Sequence, residues 1–207
     1  MKKFDFASIR TMILAPGVMG YRFINDRQVS LLTPVAAFFV ANLVYFAGAP
    51  TSDLYTHMNN MPYSHIAKEI VEEKIRKNKT NLKKFTEAYD ARSWLMSRIA
   101  LVTTVFYFSF ALYFVNYRKN LTYRDHLAIS FEFMALATLY ILVVLSWIPV
   151  LVLNLVVAVV LLYAFQRNAY RQRKFRSLTN AALLVFAFYG VMLIYRSSVF
   201  FLTLLTL

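Results

Sequence analysis

Residues 126–165 read HLAISFEFMALATLYILVVLSWIPVLVLNLVVAVVLLYAF, and Glu132 is the one Asp, Glu, Lys or Arg among them. A helix rises about 1.5 Å per residue and the hydrocarbon of a bilayer is about 30 Å thick, so a crossing takes about 20 predominantly apolar residues. This stretch holds enough for two crossings, divided at Trp147-Ile148-Pro149. Proline gives the helical ladder no N–H and disfavours helix at the residue before it. The pattern therefore predicts a tight helical hairpin, with spans over 126–148 and 150–165.

Working outward, 31–49, 94–116 and 181–207 are also long and apolar, which makes five spans. The predicted fold class is all-α, a polytopic transmembrane bundle. Its divisions are an amphipathic interfacial segment (1–30), the first span (31–49), a polar, partly helical extramembrane segment (50–93) and a four-span membrane region (94–207). In the first of these, Phe6, Ile9, Ile13 and Leu14 recur at helical spacing around Arg10, and Pro16-Gly17 then breaks the helix. An amphipathic lead-in packed on the bundle reads equally well. In 50–93, Ile66, Ile70, Val71 and Ile75, then Leu82, Phe85 and Tyr89, predict either a helical hairpin or a long bent helix running into the second span.

Composition agrees with a membrane address. Of 207 residues, 59% are hydrophobic, more than a soluble core of this length could bury. The formal charge of +13 is compatible with nucleic acid, but the basic residues flank apolar spans instead of forming one stripe, so no nucleic-acid partner is expected. With no Cys, the chain offers no disulfide, thiolate metal site or cysteine nucleophile. No Gly-rich phosphate loop and no zinc-protease or serine-hydrolase motif is present, so no enzyme activity, cofactor or metal is predicted.

Lys and Arg cluster before the first span (Lys2, Lys3, Arg10, Arg22, Arg27), after the second (Arg118, Lys119, Arg124) and after the fourth (Arg167, Arg171, Arg173, Lys174, Arg176). The hairpin turn carries none. The positive-inside rule then places the N-terminus and 167–176 in the cytoplasm and 50–93 outside, where eight basic residues are mixed with six acids.

Pro16-Gly17, Tyr21, Asp26-Arg27 and the run over 31–34, followed by an aromatic-rich span, resemble the opening of a family of bacterial integral membrane proteins classified as a domain of unknown function. The likeness continues at Tyr123-Arg124-Asp125-His126, which is similar to that family's approach to a histidine-bearing span. Here Glu132 and Met134 stand where the family usually has further histidines, and the Cys-rich zinc ribbon carried by many members has no counterpart, since the chain has no Cys. The resemblance implies the fold and a bacterial inner-membrane location, and carries over no metal or haem.

Charged groups inside spans are costly, so they are the natural pointers to function. Glu132 and Arg196 qualify. Glu132 is a candidate for proton or cation handling, or a hydrogen-bonded structural site near Ser109 and Tyr113. Arg196, read as lying near Asn154 and Trp147, is a candidate for an anionic ligand or an interfacial anchor. His126 is a weaker ligand candidate, and Asp53 with His57 and His65 with Glu69 have only the i, i+4 spacing of a metal pair. Arg167, Arg171, Arg173, Lys174 and Arg176, interleaved with Tyr170 and Phe175, suit anionic lipid head groups.

The reading these features favour is a non-catalytic integral membrane scaffold or accessory subunit, with the bilayer, another membrane protein or a second copy as partner. The alternatives are a small ion- or lipid-linked transporter or channel using Glu132 and Arg196, with Asn154 a third ligand or ion candidate on a sparse polar path, and an interfacial lipid-modifying enzyme. On the scaffold reading, Glu132→Gln is expected to leave the fold intact because an amide satisfies similar hydrogen bonds, and Arg196→Ala to lower abundance.

Overall fold

The computed structural model describes residues 6–25, 33–48, 64–117, 120–142 and 151–207. Among them the chain forms eight helices and no strand: α1 (Phe6–Leu14), α2 (Val18–Asn25), α3 (Pro34–Gly48), α4 (Ser64–Lys77), α5 (Leu82–Val115), α6 (Tyr123–Tyr140), α7 (Leu151–Tyr170) and α8 (Lys174–Leu205). The expected all-α class holds. The count of five spans is not supported, since among the described residues two helices, α5 and α8, are long and apolar enough to cross a membrane. At 34 and 32 residues they reach about 51 and 48 Å at 1.5 Å per residue. Within the first expected span, α3 opens at Pro34, a residue suited to a first helical turn, and has 15 residues, about 22 Å. The turn at Trp147-Ile148-Pro149 lies outside the described residues, as do Asp53 and His57.

Two compact units divide the chain, one of 1–52 with 103–192 and the other of 53–102 with 193–207. In the first, α1, α2 and α3 pack on α6, and α2 also on α7. Its centre is aromatic. Phe108 stacks on Phe133 with centroids 4.5 Å apart, while Phe165 and Phe188 meet Phe133 edge-on at 5.3 and 5.7 Å, so that one ring ties together α5, α6, α7 and α8. Such offset and edge contacts suit the ring quadrupole. Phe38 of α3 adds an edge contact to Phe131 at 5.6 Å.

The second unit is built on α4, the start of α5 and the end of α8. Val71, Phe85, Tyr89, Phe200 and Leu204 form its buried cluster, with Ile70 and Ile75 against it. Of the two forms predicted for this region, α4 and α5 make the hairpin, and α5 then continues unbroken to Val115. Leu82 departs from the expected apolar face and is exposed. The hairpin turn is a Schellman closure: Thr80 N–H donates to the Ile75 carbonyl at 3.2 Å and Lys79 N–H to Arg76 at 3.3 Å, with Lys79 left-handed at φ 48°.

Candidate functional site

Glu132 lies on α6, fully buried in the first unit. Its neighbours are not the expected Ser109 and Tyr113. Instead its carboxylate accepts three backbone N–H groups, one from the break before α2 and two from the first turn of α2: Gly17 to Oε1 at 2.9 Å, Met19 to Oε1 at 3.3 Å and Gly20 to Oε2 at 2.6 Å. The cause is local. The first N–H groups of any helix lack intrahelical acceptors, and a carboxylate is favoured there by the helix dipole as well as by hydrogen bonding. Pro16 and Gly17 provide no side-chain cap for α2, so α6 supplies one from 112 to 115 residues away.

The glycines make this approach possible. Gly17 is left-handed at φ 90°, and a Cβ there would lie 2.7 Å from the Phe165 carbonyl oxygen and 2.9 Å from the Ala169 nitrogen, both backbone atoms of α7. A Cβ on Gly20 would fall 2.9 Å from Glu132 Oε2 and 3.2 Å from Ile129 Cγ1. Asn168 of α7 also donates to the Pro16 carbonyl at 2.9 Å. The Pro16-Gly17 turn is thus wedged between α6 and α7, held by a carboxylate on one side and an amide on the other.

A polar layer surrounds the start of α6. Thr122 N–H and Oγ1 both donate to Asp125, at 2.8 and 2.9 Å, which caps the helix. Tyr123 Oη pairs with Ser109 Oγ at 2.6 Å, and Ser109 itself donates to the Phe106 carbonyl. His126 is fully buried, with Nδ1 2.8 Å from Tyr170 Oη; its ring stacks on Tyr170 and receives the edge of Tyr113. Its Nε2 has no hydrogen-bond partner among the described residues. The Tyr-Arg-Asp-His run therefore works residue by residue as contact, exposed charge, cap and buried partner.

The other candidates fall on α4, α7, α8 and the α7–α8 turn. Asn154 accepts from Tyr140 Oη at 3.2 Å. Arg196 belongs to the second unit and is half-buried there. His65 and Glu69 fall on α4, and no group of three or more His, Asp or Glu is placed to hold a metal among the described residues. The basic run divides as well. Arg167 donates to the Gln172 carbonyl at 2.9 Å and so braces the α7–α8 turn, whereas Arg171, Arg173, Lys174 and Arg176 are exposed beside Phe175, itself 82% exposed.

Sequence reasoning passed over the residues that hold this turn. Gln172 donates to Asn116 at 2.7 Å, and Asn180 donates to Asn116 and to Gln172 at 3.0 Å each, making a buried amide triad at the end of α5. The available signal was three amides at the ends of apolar runs, flanking the basic loop. Next to the turn, Arg171 is left-handed at φ 51° and its guanidinium rests over the Tyr21 ring, 4.5 Å from the centroid. A cavity of about 570 Å³ opens there, lined by Tyr21, Ile24, Asn25, Asn120, Tyr170 and Arg171 among others.

No family model, curated protein or solved structure matches the chain.

Proposed function

We propose that this protein is a non-catalytic integral membrane scaffold or accessory subunit of the bacterial inner membrane, with its N-terminus and the α7–α8 turn on the cytoplasmic side. The observation that carries the reading is the use of Glu132. The one carboxylate in the apolar stretch has both oxygens engaged by backbone N–H groups, which favours a structural over an ion-handling role.

Membrane embedding is supported by what α5 and α8 leave uncovered. Only 39% and 33% of their most apolar windows are buried, and Ile99, Phe106, Phe110, Leu183, Phe186 and Ile194 are exposed. Core helices of a water-soluble protein would be largely covered; at about 25 cal/mol per Å² of apolar surface, leaving these faces in water is strongly unfavourable. Orientation is supported by Arg171 over Tyr21, which brings the basic N-terminal segment and the basic turn to one place, as the positive-inside rule requires. The exposed Arg171, Arg173, Lys174 and Arg176 beside Phe175 fit an anionic lipid surface, each charge contributing about 1 kcal/mol close to it.

The test pairs abundance with complementation of a deletion phenotype for Glu132→Gln. In a scaffold, lost function follows lost protein. Normal abundance with abolished function would overturn the proposal in favour of ion coupling.

A further inference from the structure

Resting on the membrane reading above, we infer that the cavity between α2, the residues before α6 and the end of α7 is a site for one phosphate-bearing headgroup, that of an anionic glycerophospholipid. The argument starts from Arg171. Its backbone is left-handed, a conformation disfavoured for a side chain with a Cβ by about 1–2 kcal/mol, so a glycine would suit this turn better than an arginine. The guanidinium that stands there projects to the cavity wall and is held over Tyr21. A cation–π contact holds the charge through the ring quadrupole rather than through an acceptor, which leaves N–H donors to meet an oxyanion.

The rest of the lining fits the same ligand. Asn25 and Asn120 bring amide groups, suited to phosphate oxygens or a glycerol hydroxyl, and Ile24 brings an apolar wall. Tyr170 forms part of the lining while its hydroxyl is fixed by the fully buried His126, so that part of the wall is rigid. A volume of about 570 Å³ admits a headgroup with the first part of its glycerol backbone and is small for a whole lipid. Arg173, Lys174 and Arg176, exposed just beyond, raise the local concentration of anionic lipid without belonging to the cavity.

The experiment uses the full chain in neutral detergent, with phosphatidylglycerol retained per chain read by native mass spectrometry and phosphatidylcholine as the control lipid. One phosphatidylglycerol per chain is expected at high salt. Arg171→Gly relieves the left-handed backbone, so it should melt no lower than the parent, yet lower the affinity about tenfold through loss of charged hydrogen bonds. Tyr21→Leu should weaken retention in the same direction. Retention by Arg171→Gly equal to the parent, or equal retention of phosphatidylcholine, overturns the site. Glycerol phosphate is tested separately: displacement of the lipid by it supports the phosphate chemistry and identifies a free phosphoester as a second source. The combined Arg173→Gln, Lys174→Gln and Arg176→Gln variant distinguishes this site from general surface attraction. It should reduce salt-sensitive binding to phosphatidylglycerol vesicles and keep the one tightly held lipid; loss of that lipid would overturn the cavity, whereas undiminished vesicle binding would count against the surface reading alone.

Discussion

A carboxylate has two acceptor oxygens and no proton to give, and Glu132 meets three donors with them. An amide has one acceptor and two donors, so Glu132→Gln must set an N–H₂ group against backbone N–H. This reverses the sequence-based expectation that Gln would be silent. We predict a loss of about 1–3 kcal/mol from the stranded buried donors, read as a lower thermal midpoint in detergent and lower abundance in the membrane. Gly17→Ala should be at least as damaging, because it combines a positive φ with a Cβ 2.7 Å from the backbone of α7, and no side-chain rotation relieves either. A midpoint for Gly17→Ala equal to the parent would show that the turn is not wedged as described.

Helix ends supply the next scale. α4 closes with Lys79 in the left-handed position that glycine fills most easily, so Lys79→Gly should stabilise the second unit by about 1 kcal/mol, measured as a raised midpoint. A fall would mean that the Lys79 side chain contributes a contact worth more than the backbone strain. At the far end of α8, Lys74 donates to the Leu204 carbonyl at 2.6 Å and Asn78 to Leu207 at 3.2 Å, so a cation covers carbonyls that a helix C-terminus leaves unsatisfied. Lys74→Met keeps most of the apolar stem and removes the charge. It should cost about 1 kcal/mol and speed amide exchange in the last turn of α8.

For the molecule as a whole, the topology is testable because the chain has no cysteine, so one introduced thiol is unique. Lys83 and Phe175 are exposed positions, near the starts of α5 and α8. Cysteine at 83 should react with an impermeant reagent from the periplasmic side, and cysteine at 175 only after the cytoplasmic side is opened. Labelling of both from the same side would discard the orientation. The sequence by itself determined the helical class, the break at Pro16-Gly17 and the apolar runs of α5 and α8, because proline geometry, hydropathy and span length are properties of the local chain. Their number as spans was less legible, since helix ends depend on capping: α5 starts at Leu82, well before its apolar run begins. Only the tertiary structure decided which groups Glu132 meets. Its partners are backbone N–H groups, which every residue but proline carries and no sequence pattern marks. The amide triad of Asn116, Gln172 and Asn180 escaped for the same reason: donors and acceptors brought together from 8 to 64 residues apart become a site only once the helices have packed.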